Sequence, residues 1–242
     1  IGFGAELATM VMTGTADKLG LGMTKFIGGA VFSTGLMLVV IGGAELFTGN
    51  NLMTIGLSRK QFGVAGLLYN WFFVYIANLI GSLLLVYIMF ESNLWQTGGN
   101  AVGTTALGIA AGKVNLSFSE AFYRGIGCNW LVCLAVWLAM ASQDVVGKIF
   151  GIFFPIMAFV ASGFEHCVAN MYFIPMGILL KGNAAMATAV ADLGTKADLL
   201  NWGGFFINNL IPVTLGNIVG GAVFVGIAYF MVYVKQLNSC KE

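Results

Sequence analysis

The chain holds one histidine, His166, inside Gly163-Phe164-Glu165-His166-Cys167-Val168-Ala169-Asn170, and an earlier stretch, Gly43-Ala44-Glu45-Leu46-Phe47-Thr48-Gly49-Asn50, repeats its frame. Both read Gly-x-Glu with an Asn five residues after the Glu, and both interrupt apolar runs. Carboxylates, amides and imidazoles are expensive in apolar surroundings unless partnered, so such clusters mark a pathway or a site. One cluster per half points to a transport path between two related halves. An imidazole changes charge near neutral pH and donates a hydrogen bond in either state. Its cation is disfavoured by desolvation in a low-dielectric pore until an anion arrives to pair with it. His166 could then hydrogen-bond a passing anion or hand it a proton, with Asn170 and Asn129 as candidate partners holding the ring. Thr48 offers a hydroxyl, and free backbone amides beside it could face an anion as helix N-termini do. Glu45 and Glu165 are equivalent, which points to one shared task, fixing the broken backbone by accepting amide hydrogen bonds; a proton relay is the alternative. Phe32, Leu36, Leu46 and Phe47 in one half, with Val132 and Phe159 in the other, could form constrictions that exclude water. Ordinary capping and packing would use the same residue types at the same spacings.

The elements that position these residues lie in a membrane. Of 242 residues 59% are hydrophobic and 9% charged, with a mean hydropathy of +0.90. A soluble domain carries about 25% charged residues, so this chain could not clothe a surface in water. The 34 glycines fit tightly packed membrane helices. A net charge of +1 gives no sign of a nucleic-acid partner. Cys128, Cys133, Cys167 and Cys240 match no CxxC or zinc spacing and read as buried apolar thiols, so no metal or cofactor is expected. Without a metal cluster or a nucleophile beside the histidine, an intramembrane enzyme is disfavoured.

Apolar runs predict six spans: Ile1–Thr13, Phe26–Phe47, Val64–Phe90, Ser119–Met140, Ile149–Glu165 and Phe205–Val234. The first is too short to cross unaided, since crossing takes about 20 residues, so its front half is expected to precede Ile1. Short apolar pieces at Leu52–Leu57 and Ala169–Leu180 read as second halves of interrupted helices, and 91–118 and 181–204 read as polar connections. A second repeat divides the chain: Asn70 precedes Asn78-Leu79-Ile80-Gly81 as Asn209 precedes Asn217-Ile218-Val219-Gly220. The unit is therefore three spans, 1–90 and 119–234 of a single pore domain over 1–242. An odd number of spans per unit inverts the second relative to the first, which places broken helices at a midplane site. Positive charges divide nearly evenly between the two faces, with Arg59, Lys60, Lys148, Lys235 and Lys241 on one. The density of charge in short loops favours that face as cytoplasmic.

These residues resemble the formate/nitrite transporter family. Gly43 to Gly49 looks like its first signature, Asn129-Trp130-Leu131-Val132-Cys133-Leu134-Ala135-Val136-Trp137 like its fourth-span signature, and Ala161 to Met171 like its fifth. The resemblance runs from Phe26 to about Tyr233. It implies an all-α, aquaporin-like, six-span protomer with broken second and fifth helices, five copies to an assembly, in the cell (inner) membrane. Each protomer would pass small monovalent anions such as formate, nitrite or hydrosulfide, with or without protons. By matching position, Thr48 and His166 face each other at the pore centre, with Asn129 and Asn170 near the histidine. Lys113 attracts anions at the outer vestibule. Leu36, Leu46, Phe47 and Val132 form the cytoplasmic-side constriction, and Phe32 and Phe159 the outer one. Thr48 begins a loop that is mobile in some members, a candidate gate. Glu45 to Gly49 and Cys128 to Trp130 lean toward the nitrite channels, while Gly163 to Met171, Ile174-Pro175-Met176-Gly177 and Ile211-Pro212-Val213-Thr214 lean toward the formate channels. The competing reading is a water or glycerol channel, but the Asn-Pro-Ala pair of aquaporins is absent at both breaks.

Overall fold

A computed structural model describes residues 1–234; Lys235, Lys241 and Cys240, which entered the charge and cysteine readings, lie outside the described residues. Those residues are helical and form no strand. Helix α1 (Gly2–Met12) turns its small face, Gly4, Ala5, Ala8 and Thr9, inward. A Cβ on Gly4 would stand 2.5 Å from the Phe32 carbonyl oxygen, so α1 lies backbone-close on α2 (Ala16–Gly42). The α1 residue Glu6 also accepts a hydrogen bond from the Tyr172 hydroxyl. Helix α2 is non-helical at Gly20 and spans over Lys18–Gly42, starting earlier than the expected Phe26. It stops at Gly43, whose φ of 78° is the left-handed cap that glycine adopts without a Cβ penalty. After a non-helical stretch the chain resumes in a 3-10 turn (Gly49–Leu52) and α3 (Met53–Ser58). Helix α4 (Val64–Glu91) follows, apolar and mostly exposed, as a helix solvated by lipid should be.

The second half repeats this plan. Helix α6 (Phe118–Ala141) opens with a Ser117–Glu120 capping box, and α7 (Val145–Ser162) with Asp144 accepting from Gly147 N–H. Helix α7 ends at Gly163, again left-handed with φ 77°, and α8 (Cys167–Lys181) begins four residues on. The last span, Gly204–Tyr233, is α-helical over α10 (Ile211–Ile218) and π-helical over Gly204–Leu210 and Val219–Ile227. The chain is thus a multi-pass membrane protein with α2 and α7 broken before α3 and α8.

Two expected connections proved structured. Residues 91–118 contain α5 (Ala101–Val114), and 181–204 contain α9 (Ala187–Leu193). Helix α5 packs against α8 through Val102, Ala106, Leu107, Ala110, Ala111 and Val114. It is apolar but only 14 residues long, too short to cross a bilayer unaided, which is why it read as a connection.

Helix α6 and the last span meet with almost no side chain between them at Gly216 and Gly220. A Cβ on Gly216 would fall 2.1 Å from the Phe122 carbonyl oxygen, and one on Gly220 would fall 2.3 Å from that of Ile126. Gly216→Ala should therefore force the pair apart and destabilise the protein by about 1–3 kcal/mol, the usual penalty of overpacking. Thermal unfolding of the purified protein in detergent checks this; an unchanged midpoint would contradict the close approach.

Candidate functional site

His166 is the N-cap of α8. Its Nδ1 accepts the Ala169 backbone N–H at 3.1 Å, one of the donors that a helix start leaves unpaired. A nitrogen that accepts carries no proton, so the proton of the neutral imidazole sits on Nε2. That Nε2 lies 3.0 Å from Thr48 Oγ1. The ring therefore donates to the threonine, and the hydroxyl keeps its own hydrogen for another acceptor. An imidazolium would set Nδ1–H against Ala169 N–H and lose the cap. Both residues are buried, His166 at 2% exposure and Thr48 at 0%.

The ring partners expected from the sequence are engaged elsewhere. Asn129 Nδ2 lies 3.2 Å from the Thr48 carbonyl oxygen, 2.9 Å from Asn51 Oδ1 and 2.7 Å from the Asn217 carbonyl oxygen. It therefore holds the Thr48 backbone in place and leaves the imidazole to Ala169 and Thr48. Glycine is required beside it: a Cβ on Gly221 would stand 2.4 Å from Asn129 Nδ2 and 2.8 Å from Cys133 Sγ. Asn170 turns away from the ring to Glu165.

One hydrogen-bond pattern holds both breaks. In the first, Asn50 Nδ2 donates to Glu45 Oε2 at 2.5 Å and to Asn70 Oδ1 at 2.8 Å. Asn78 accepts from Phe47 N–H and donates to the Glu45 carbonyl oxygen, both at 3.0 Å. In the second, Asn170 Nδ2 donates to Glu165 Oε2 and to Asn209 Oδ1, both at 2.7 Å. Asn217 accepts from Cys167 N–H and donates to the Glu165 carbonyl oxygen, both at 2.9 Å. Both glutamates do accept amide hydrogen bonds, but from asparagine side chains. The four asparagines of the third and sixth spans, Asn70, Asn78, Asn209 and Asn217, noted in the sequence only as a repeat, are the posts that carry the breaks.

The halves differ in charge. Glu165 Oε1 pairs with Lys113 Nζ at 2.9 Å, the one ion pair among the described residues, and the ammonium also stands 5.1 Å from the Phe173 ring centroid. Lys113, expected to attract anions at the outer vestibule, is tied to the second break and lines the cavity beside His166.

One cavity reaches His166, and a second lies beside the first break. One, of about 290 Å³, is lined by Lys113, Phe32, Phe159 and His166; Phe32 and Phe159 meet edge-to-face there with centroids 5.5 Å apart. The other, of about 390 Å³, is lined by Leu36, Leu46, Glu45, Asn50 and Val136. Phe32 and Leu36 stand four residues apart on one face of α2 and belong to opposite cavities. Val132 is buried one turn before Val136. Phe47 departs from its expected place. It packs against Trp71 and Tyr75, with centroids 5.9 and 4.9 Å away, and lines a groove between α4 and α10. Leu46 and Phe47 are consecutive in a non-helical stretch, so when Leu46 faces the cavity Phe47 must face the other way.

The sequence model described as formate/nitrite transporter matches residues 1–231. The chain belongs to the formate/nitrite transporter family. Relatives include a probable formate transporter of Methanothermobacter thermautotrophicus, 49% identical over 98% of this chain and 85% of that protein. The formate channel FocA of Escherichia coli K12 is 40% identical over 93% of this chain and 79% of its own. Among solved structures, a pentameric formate channel with formate bound superposes with a TM-score of 0.84 at 42% identity, covering 96% of this chain and 93% of that one. An ion channel of the same family gives a TM-score of 0.76 at 28% identity over 95% and 86%.

Proposed function

We propose that the chain is the protomer of a homopentameric channel for small monovalent weak-acid anions, formate foremost, with nitrite and hydrosulfide as further passengers. It would sit in the cell (inner) membrane, its two three-span units inverted relative to one another and each protomer its own pore. The observation that carries the reading is the buried Thr48–His166 pair, with His166 lining a cavity that also holds Phe32 and Phe159, and with Leu46 and Gly49, which flank Thr48 in the chain, lining a second. Hydrogen-bond donors at an apolar neck replace part of an anion's lost hydration, and a donor pair without a guanidinium fork selects size and single charge over identity. In this reading His166 and Thr48 hydrogen-bond the passing anion, and Asn129 and the Glu–Asn ladders hold them in register. Leu36 and Leu46 narrow one approach, Phe32 and Phe159 the other. The neutral tautomer imposed by Ala169 favours passage of the bare anion over protonation by the ring.

The test is flux into proteoliposomes with internal pH recorded, using formate, nitrite, hydrosulfide and lactate in competition. Formate current without internal acidification supports a passive channel, and acidification in step with uptake establishes proton coupling instead. Osmotic shrinkage with glycerol and no anion flux would overturn the reading in favour of a neutral-solute channel.

Lys113→Gln removes the cation from Glu165 and leaves that carboxylate, 6% exposed, with asparagine partners alone. Breaking a buried pair from one side costs about 3–5 kcal/mol. The variant should therefore lose thermal stability as well as formate uptake at low ionic strength. Normal stability with slow uptake would assign Lys113 to attraction only.

A further inference from the structure

The cavity on the His166 side carries more charge than a monovalent passenger needs. Lys25 of α2, Lys113 of α5 and Arg124 of α6 line it, with Glu165 as its carboxylate and His166 as its other titratable group. Lys113 and Glu165 neutralise each other at 2.9 Å. Lys25, half-buried, and Arg124, exposed, come from different helices and form no ion pair among the described residues. Three cations against one carboxylate leave the lining at a formal +2 with the imidazole neutral.

The space is large as well. About 290 Å³ is many times the roughly 30 Å³ share of one water molecule, whereas formate has three heavy atoms. A guanidinium fork takes a carboxylate through two parallel hydrogen bonds, and an ammonium takes one as a point charge. The edge-to-face Phe32 and Phe159 give the same cavity an apolar wall beside His166. The desolvation penalty of an ion rises with the square of its charge, so a dianion admitted by the vestibule is held above an apolar neck that a monoanion crosses.

We propose that this vestibule is a binding site for dicarboxylates, seated between Lys25 and Arg124, which occupy the path without passing and so block the smaller acids. The proposal rests on the channel reading for its blocking effect, but not for the binding itself.

Malonate is the probe, in a buffer well above the carboxyl pKa range so that it carries both charges. Calorimetric titration into the detergent-solubilised protein at low salt should give one site per protomer, at least about tenfold tighter than acetate because both cations engage. Lys25→Gln and Arg124→Gln should each weaken malonate about tenfold, with size-exclusion profiles confirming that the variants fold. Raising ionic strength should weaken it in the unaltered protein too, a readout that needs no variant. In proteoliposomes with malonate on both faces, formate uptake should fall over the same concentrations, while labelled malonate stays outside. No heat of binding, affinity unmoved in both variants, or malonate uptake at the rate of formate would each overturn the proposal. Malonate binding in a protein without formate flux would sink the channel reading and keep the site. Formate flux without malonate binding would do the reverse.

Discussion

His166→Asn is expected to give a folded protein whose formate uptake at neutral pH falls by about 10- to 100-fold. The fold survives because asparagine is among the best N-cap residues, and its Oδ1 can take over the Ala169 N–H that Nδ1 now holds at 3.1 Å. The function falls because the shorter side chain cannot span the distance to Thr48, so the N–H now 3.0 Å from Oγ1 is lost. A hydrogen bond to a charged group contributes about 1.5–3 kcal/mol, which is the fold-change stated. Proteoliposome uptake across about pH 5 to 8, the range over which an unperturbed imidazole titrates, checks it, with a thermal midpoint measured beside it. Uptake equal to that of the unaltered protein at every pH would remove the imidazole from the pathway.

Asn217→Ala should be among the most damaging single changes in the chain, at about 3–6 kcal/mol of stability. Its side chain serves Cys167 N–H, the Glu165 carbonyl oxygen and the Gly125 carbonyl oxygen, the last at 2.8 Å. All three belong to buried residues, where an orphaned group costs about 1–3 kcal/mol. Asn78→Ala breaks the equivalent pair of bonds in the first half, but beside a cavity shared with Glu45 where water can take its place. It should cost about 1 kcal/mol. Comparing the two variants by thermal unfolding reads burial together with the one bond, to the Gly125 carbonyl oxygen, that Asn217 makes and Asn78 does not. Equal losses would show that both breaks are equally wet.

Much of this architecture was legible in the residues. The breaks at Gly43 and Gly163 stand where Gly-x-Glu placed them, and the spaced Glu and Asn residues recur as one hydrogen-bond pattern. What stayed hidden was which asparagine meets which glutamate. Asn78 lies 31 residues from Phe47, and Asn217 lies 50 from Cys167; only packing brings such pairs together. The same holds for Lys113 and Glu165, 52 residues apart. Helix α5 was missed although its signal was present: Ala106, Leu107, Ala110, Ala111 and Val114 recur at helical spacing. A search for membrane-crossing runs passes over it because it is 14 residues long, with four threonines and glycines among its first eight. Phe47 was misplaced because a helical reading of the apolar residues cannot register the reversal of faces where the helix stops.

The cap on His166 also bears on the membrane's energy store. A chain of waters conducts protons by relay, and an imidazole joins such a relay only if one nitrogen can receive while the other releases. Here one nitrogen is committed to the backbone amide of Ala169, so the ring can donate a hydrogen bond but cannot turn over as a shuttle without breaking the first turn of α8. A file of waters reaching Thr48 would therefore be interrupted at that point. The residue best suited by chemistry to relay protons is wired as a one-sided donor, so the Ala169 cap works against a proton wire through this point.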